Sequence, residues 1–427
     1  MLYDDLKARG LIFQETMEKM EEWFKTPRTF YCGFDPSSDS LHIGSLMPLM
    51  TIRRLQQAGH KPIVLLGGST GMIGDPSGKS QERNLLTKDV VEKNIFGIRQ
   101  VIEKFIDLKG PQGAMIVNNS TWMEKVTYID FLRDIGKHFT VNYMLAKDSV
   151  KSRFENKDQG ISYTEFSYMI FQAYDFFVLN KNYNCQLQIG GSDQWGNITA
   201  GVELIRRIRA ANGTTHKEDV AGLTMPLVTK SDGSKFGKSE AGNIWLDGRK
   251  TSPYQFYQYF LRVDDQDVVK YLNYFSMASR EQIDHLIAET QSAPEKRSAQ
   301  MHLARELTKM VHGDSELQKV EKASNTLFSG DLKELDKPML LEVFGEAPSK
   351  KIPKIQLGQI SLVDVLVETG LSPSKGMARK DIQGGGVYIN NNRIDSEELV
   401  ITSENVLYGS ILILRKGKKN YSMVLFV

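Results

Sequence analysis

Four short apolar runs in the first half of the chain end at, or next to, a glycine, aspartate or asparagine: TFYCGF at 29–34, PIVLLGG at 62–68, AMIVNN at 114–119 and CQLQIGG at 185–191. Between them apolar positions recur with helical spacing, as at 46–58 and 164–179. Continuous apolar strands separated by helices predict a parallel α/β sheet, since such strands are covered on both faces. Ligands of these sheets bind beyond the C-terminal strand ends, and the polar and glycine-rich residues of this chain gather at those ends.

The pattern changes near Ser252. YQFYQYFLRV, DVVKYLNYF and AQMHLARELTKMV carry helical periodicity, and the tetrads starting at Ser279 and Ser292 fit a capping box. Residues 252–328 therefore read as a helical domain, and 329–355, with alternating acids, lysines and prolines, as a linker. In 356–427, Ser372-Pro373 predicts an N-cap with proline at N1, followed by a short helix that Gly384–Gly386 breaks. VYIN at 387–390 and a hairpin over 411–426 complete a small α+β unit. The expected fold class is α/β: a Rossmann-like parallel-sheet domain over 1–251, then an all-α domain, then the small α+β domain.

Composition narrows the function classes. A length of 427 residues suits two to four units. No apolar run approaches the ~20 residues of a membrane span. The start, MLYDDLKARG, has no apolar signal core and carries acids, which predicts a cytosolic protein without membrane contact. Two distant cysteines, Cys32 and Cys185, make neither a disulfide framework nor a zinc spacing, so no protein-ligated metal is expected. A net charge of +2 is low for a general polyanion or DNA binder, so any RNA contact must use local patches.

Two segments point to a nucleotide. After the first strand comes DPSSDSLHIGS, in which Ser38, Asp39 or Ser40 could cap a helix with His42 and Gly44 in its first turn. Free N–H groups and a partial positive charge there suit phosphate; Gly44 lets a flat base approach the backbone, and His42 and Ser45 offer donors at i and i+3. In SDGSKFGKS, Lys235 and Lys238 are three apart on a glycine-bearing loop and can converge on a triphosphate. Taken singly, the first also fits an ordinary capped helix and the second a solvated basic loop; their joint occurrence favours nucleotide chemistry. GDPSGKS at 74–80 and GSKFGKS at 233–239 each place three residues, not four, before GKS, which excludes a P-loop. On the helix at 163–176, Tyr168, Gln172 and Asp175 share one face, fitting either a bound ligand or a structural hydrogen-bond network. Asp193 and Gln194, after paired glycines, suit ribose hydroxyls.

HIGS (42–45) and KFGKS (235–239) resemble the HIGH and KMSKS signatures of class I aminoacyl-tRNA synthetases, with Ser45 in place of the second histidine and Phe236-Gly237 in place of Met-Ser. YCGFDP, GDPSGK, FSYM-FQAYDF, QIGGSDQWGNI and KFGKS, in that order, resemble the blocks of bacterial-type tyrosyl-tRNA synthetases across nearly the whole chain. The resemblance implies that Tyr31 and Asp175 bind the phenolic hydroxyl of L-tyrosine. Asp75, Tyr168 and Gln172 would hold its ammonium, with Gln188 near its carboxylate. Cys32, Gly33, Asp35, Gly44, Gly190, Asp193 and Gln194 would line the adenosine and ribose site. Lys79 and Arg83 would join His42, Ser45, Lys235, Lys238 and Ser239 at the phosphates of ATP, with Mg²⁺ carried on phosphate oxygens. Tyrosine would then pass to the terminal ribose of tRNA(Tyr). Arg206, Arg207 and Arg209 mark one tRNA patch; Lys375, Arg379, Lys380, Arg415, Lys416, Lys418 and Lys419 mark another on an S4-like C-terminal unit. The resemblance also implies a homodimer. A tryptophanyl enzyme, a nucleotidyltransferase and a synthetase-derived RNA-binding protein are the alternatives. Tyr31 with Asp175 speaks against the first, the lysine motif and C-terminal unit against the second, and the intact His42 and lysines against the third. Pro48 is expected near the second turn of the HIGS helix, where it would remove a hydrogen bond or kink it.

Overall fold

The computed structural model describes residues 2–77, 85–147, 150, 151, 160–213, 220–233, 236–239, 242–329, 331–345, 347–417 and 420–427, the side chains of 238, 239 and 327–329 excepted. Lys79, Arg83, Lys235, Lys418 and Lys419, and the side chains of Lys238 and Ser239, lie outside what is described. The chain forms two compact units, Met1–Val311 and His312–Val427.

The first unit is built on a six-stranded sheet of β1 (Gln14–Glu15), β2 (Thr29–Phe34), β3 (Lys61–Leu66), β4 (Met115–Asn118), β5 (Cys185–Gly191) and β6 (Ala221–Met225). Its order is β1-β6-β5-β2-β3-β4, parallel except for β1 on β6. The four expected strands appear at or within three residues of their expected ends. The sequence reading missed β6, whose AGLTM is short and half small residues although fully buried. Strand succession runs outward from β2 to β3 and β4, then resumes on its other side with β5 and β6. The order thus reverses between β2 and β5, which opens a crevice at their C-terminal ends.

Helices Tyr163–Tyr183 and Trp195–Ala211 pack on each other and on the sheet, enclosing Tyr31, Phe176, Leu179, Val202 and Ile205. Ser162 caps the first helix through the Glu165 N–H, and Asn184 ends it in the left-handed region at φ 52°. Helix Leu46–Gln57 carries HIGS into the sheet and is buried on most sides. Neither Ser38, Asp39 nor Ser40 starts it: His42 caps a 3₁₀ turn, Ile43–Ser45, and the α-helix begins at Leu46. Pro48 is therefore at N3, in the first turn, where no intrahelical donor is needed and no kink follows.

The helical segment from Ser252 to Val311 belongs to the first unit. Asp265–Phe275 packs against Leu46–Gln57, and buried Arg54 of the HIGS helix donates to the Ser276 carbonyl. Arg9 donates to the same oxygen at 3.0 Å, while Glu306 accepts from the Ser276 hydroxyl at 2.6 Å and from Met277 N–H at 2.7 Å. Of the two capping boxes expected, Ser279–Gln282 forms. Ser292 instead ends its helix, its hydroxyl turned back to the Ala288 carbonyl, because Pro294–Lys296 makes a 3₁₀ turn closed by Arg297 at φ 51°.

In the second unit, β9 (Ser349–Ile352), β10 (Val387–Ile389), β11 (Asn392–Arg393), β12 (Ile411–Lys416) and β13 (Asn420–Phe426) form a sheet ordered β11-β10-β12-β13-β9. The stretch expected as linker holds the helix Lys337–Val343 and the strand β9, which pairs in parallel with β13. Helices Leu362–Glu368 and Lys375–Gln383 cover the sheet through Leu366, Ala378 and Ile382. Ser374, not Ser372, caps the second; buried Ser372 donates to Asp381 at 2.7 Å.

Helix Lys88–Ile102 docks on the loop between β2 and HIGS. Asn94 donates to the Pro36 carbonyl at 2.8 Å, and a Cβ on Gly97 would run into the Asp39 carbonyl. Gly97→Ala gains about 1 kcal/mol of helix propensity, but overpacking against rigid backbone costs about 1–3 kcal/mol. We expect a net loss, read as a lower urea midpoint with unchanged m-value; a midpoint at or above the parent's would refute this docking.

Candidate active site

The crevice between β2 and β5 is a cleft of about 320 Å³. Fifteen residues singled out in the sequence line it: Tyr31, Cys32, Gly33, Asp35, His42, Gly44, Ser45, Asp75, Tyr168, Gln172, Asp175, Gln188, Gly190, Asp193 and Gln194. They come from the β2 end, the 3₁₀ turn, the turn after β3, one face of Tyr163–Tyr183, and β5 with its following turn.

At the floor, Tyr31 and Asp175 are each 1% exposed. Trp122 Nε1 donates to one oxygen of Asp175 at 2.8 Å and Asn119 Nδ2 to the other at 3.0 Å. Burial pushes the Asp175 carboxyl up to about 7; the two hydrogen bonds oppose this and Asp35 adds to it. The Tyr31 hydroxyl is driven well above its ordinary value, first by burial and then by Asp175, and among the described residues it has no hydrogen-bond partner. Such a group costs about 1–3 kcal/mol until a ligand satisfies it. The buried Gln188 side-chain oxygen is likewise without a partner.

A polar chain links this floor to the β2 end. Tyr168 donates to Asp35 at 2.6 Å, Thr70 to the other Asp35 oxygen at 2.8 Å, and Asn119 to Thr70 at 3.0 Å. Buried Asn197 forms a second node, donating to Gln172 at 3.1 Å and lying 3.4 Å from an Asp75 oxygen. Asp75 also accepts from Gln194 at 2.7 Å and from Ser77 N–H at 3.0 Å. Sequence reasoning missed Thr70, Asn119, Trp122 and Asn197. Asn119 ends the run AMIVNN, and its place just past a parallel strand was a usable signal; no sequence signal marked Trp122.

At the other end, His42 Nδ1 accepts from Gly44 N–H at 3.0 Å, so a neutral ring carries its proton on Nε2. A Cβ on Gly44 would lie 2.8 Å from that Nδ1, so glycine here makes room for the imidazole. The two nucleotide motifs adjoin. A Cβ on Gly237 (φ 90°) would meet Ile43 at 3.0 Å, and Ile43 N–H donates to Ile244 at 2.9 Å, beyond the hairpin of β7 (Lys238–Ser239) and β8 (Gly242–Asn243). Phe236 is buried among Tyr259, Tyr271 and Phe275 and anchors the lysine motif to the helical segment. Cys32 is buried and its thiol pushed up to about 12 by burial, so it serves as wall rather than nucleophile.

The basic residues lie elsewhere. Arg206 is exposed on Trp195–Ala211, Arg207 pairs with Glu203 at 2.6 Å, and Arg209 donates to Asn180 at 3.2 Å. In the second unit Lys375 pairs with Asp364 at 2.6 Å, Arg379 lies 3.7 Å from Glu397, and Lys380 is exposed. Arg415 stacks on Tyr388 at 3.8 Å and Lys416 pairs with Asp381 at 2.7 Å, which engages both within the unit.

A Rossmann-like cleft beside a histidine-capped turn fits a nucleotide-using enzyme, and comparison with known proteins agrees. Residues 25–329 match tRNA synthetases class I (W and Y), so the chain belongs to that family. Residues 342–424 match the tyrosine–tRNA ligase SYY-like C-terminal domain, which favours tyrosine over tryptophan as the amino acid. A C-terminally truncated mitochondrial tyrosyl-tRNA synthetase from Aspergillus nidulans is 30% identical, covering 77% of this chain and 94% of its own, with a TM-score of 0.68. The corresponding Coccidioides posadasii protein is 32% identical over 75% of this chain and 91% of its own, with a TM-score of 0.66. A Plasmodium falciparum tryptophanyl-tRNA synthetase, 16% identical over 80% of this chain and 87% of its own, shares the fold at a TM-score of 0.52. No described helix is long and apolar enough to cross a membrane.

A carboxyl raised from 3.8 to about 7 by folding binds a proton in the native state that the unfolded chain has already lost. Its contribution to stability is thus complete below pH about 4 and lost as pH rises through 7. In urea titrations of the unliganded protein, Asp175→Asn should flatten the fall in stability between pH 5 and 7.5. Equal slopes for parent and variant would contradict a raised Asp175.

Proposed function

We propose that the cleft joins L-tyrosine to ATP and then hands the tyrosyl group to the 3′-terminal ribose of tRNA(Tyr), in the manner of bacterial-type tyrosyl enzymes. The observation that carries this reading is the buried, unpartnered Tyr31 hydroxyl beside a carboxylate fixed by Trp122 and Asn119. A phenol can donate to Asp175 and accept from Tyr31; a phenylalanine leaves both buried groups unmatched.

Asp75, Gln172 and Tyr168 then face the ammonium, and Gln188 the carboxylate. A carboxylate oxygen attacks the α-phosphorus, the new C–O–P bond forms, and the α–β anhydride breaks to release pyrophosphate. The attacking group is already ionised, so the protein aligns reactants and stabilises phosphate charge rather than removing a proton. His42 and Ser45 do this from the helix start, and Lys79, Arg83, Lys235, Lys238 and Ser239 from the loops. Cys32, Gly33, Asp35, Gly44, Gly190, Asp193 and Gln194 hold adenosine. In the second step the ribose hydroxyl attacks the tyrosyl carbonyl and AMP leaves. A Mg²⁺ ion carried by the substrate's phosphates would offset their charge. That placement suits a cleft in which Asp35 and Asp75 already accept from Tyr168, Thr70, Gln194 and Ser77.

The division of labour follows the expected domains: chemistry over 1–251, a helical anticodon-side domain over 252–328, and an S4-like RNA-binding domain over 356–427. Lys375, Arg379, Lys380, Lys418 and Lys419 meet tRNA there, and Arg206, Arg207 and Arg209 meet it on the catalytic side, exchanging protein partners for phosphates. Exposed Tyr128, Ile129, Leu132 and Tyr163, with the two tyrosine hydroxyls 3.4 Å apart, support a homodimer face. Two buried free thiols suit a reducing compartment, and the cytosol is the one we assign.

Amino-acid-dependent ATP–pyrophosphate exchange tests the reading. Tyrosine should support exchange; exchange with tryptophan and not tyrosine would overturn the specificity, and none with any amino acid would favour an RNA-binding protein. Asp175→Ala should lower the tyrosine-over-phenylalanine ratio of kcat/KM by roughly 30-fold or more, the worth of about 2–3 kcal/mol in a charged hydrogen bond. An unchanged ratio would refute the phenol site. Removing residues 350–427 should leave exchange intact and impair tRNA charging, and normal charging by the shortened chain would refute the role of the C-terminal unit.

A further inference from the structure

Trp245 belongs to no signature, yet it touches His42 twice. The two residues form an antiparallel bridge, flanked by hydrogen bonds from Ile43 N–H to Ile244 at 2.9 Å and from Leu246 N–H to Leu41 at 2.8 Å. Their rings meet edge to face, with centroids 6.2 Å apart and planes at 75°. This short ladder joins the segment after the lysine hairpin to the start of the HIGS turn.

The indole is itself held. The main-chain N–H of Trp245 donates to the hydroxyl of buried Thr251 at 2.9 Å, fixing the backbone from which the indole projects. Lys250 Nζ lies over the ring, 4.6 Å from its centroid, and pairs with Asp39, whose carboxyl the lysine holds below the usual range. Asp39 sits in the same loop that Gly97 packs against, four residues before Ile43. The ammonium is thus tied on one side to the loop preceding HIGS and on the other to the indole beyond the lysine motif. A cation on an aromatic face and a ring edge on another are both directional, so the arrangement fixes the indole's plane as well as its place.

We propose that Trp245 is a positioning residue: it sets the imidazole of His42 against the nucleotide end of the cleft, with Lys250 and Asp39 bracing it. The proposal rests on the reading of that end as the ATP site. Gly44 leaves the space into which the imidazole folds and supplies the N–H that fixes Nδ1. Trp245 supplies the wall that keeps the ring's other atoms directed at the phosphates. Aligned donors act on charge as it develops, so loss of the wall should weaken catalysis through His42 and leave the tyrosine floor untouched.

A double-mutant cycle in ATP–pyrophosphate exchange tests this. Trp245→Ala should lower kcat/KM for ATP about tenfold, consistent with loss of an aromatic wall and a misaligned donor, with KM for tyrosine within about twofold of the parent. Trp245→Phe, which keeps an aromatic edge, should recover most of the loss. In a His42→Ala background, Trp245→Ala should add less than about twofold, because a residue acting through His42 has nothing left to position. Equal losses in both backgrounds would overturn the proposal, as would an alanine variant within twofold of the parent. Should Trp245→Ala not fold, Trp245→Leu enters the same cycle with the same criteria. Absence of exchange in the parent removes the ATP reading and this proposal with it, whereas exchange in the parent with an additive cycle removes only the role of Trp245.

Discussion

The reversal of strand order between β2 and β5 is the constraint from which the site follows. Chain leaving β2 turns one way, toward β3, and chain leaving β5 turns the other, toward β6. Their C-terminal ends stay uncovered, and the backbone groups there have no further strand to bond. The chain fills this gap with the HIGS turn from one side and the QIGGSDQ turn from the other. The cleft is lined from these two ends, from the HIGS turn, from the turn after β3, from the residues just past β6 and from the face of the helix beneath them. A sheet of the same strands in sequential order would have no such gap.

What lies at the floor is costly by itself. Asp175 is a carboxylate removed from water, and burial holds its carboxyl above the usual range against the two hydrogen bonds that oppose it. Tyr31 adds a buried hydroxyl without a hydrogen-bond partner among the described residues, within the same core cluster as Phe176 and Leu179. An apolar pair at these positions would make a more stable core. The strain is local because the surroundings are well satisfied: Asn119 bonds Thr70, Asp175 and Ser69 N–H at once, and Asn197 ties Gln172 to the Asp75 turn. The shell holds the Tyr31 hydroxyl unsatisfied beside a buried carboxylate, which is the arrangement the proposed phenol site rests on.

Much of this was legible in the residues. The strands at 29–34 and 185–191 were readable because parallel strands are apolar on both faces, and the cleft-lining residues because polar groups at strand ends have few structural reasons to be there. The helix face Tyr168–Gln172–Asp175 followed from spacing alone. The partners did not. Thr70, Asn119 and Trp122 reach Asp175 and Asp35 from 35 or more positions away, and periodicity carries no information about such contacts. Cap positions failed for a related reason. Ser372 and Ser292 have the right chemistry, but Asp381 and the Ala288 carbonyl compete for their hydroxyls. β6 and β9 escaped because their burial comes from neighbours and not from their own composition.

Phe236 shows a different kind of departure. It replaces a flexible side chain of the wider class signature with a rigid ring seated among Tyr259, Tyr271 and Phe275. The lysine motif is thereby footed in the helical segment, and the HIGS helix is footed in it too, through Arg54 on Ser276. The phenol floor has no such footing; it hangs on β4, the end of β2 and one helix face. On the proposed reading, recognition of the amino acid and activation of the nucleotide are therefore anchored in separate parts of one unit. Such a separation would let the side-chain pocket be rewritten while the nucleotide end is inherited unaltered, a physical reason for one family to contain both tryptophan and tyrosine enzymes.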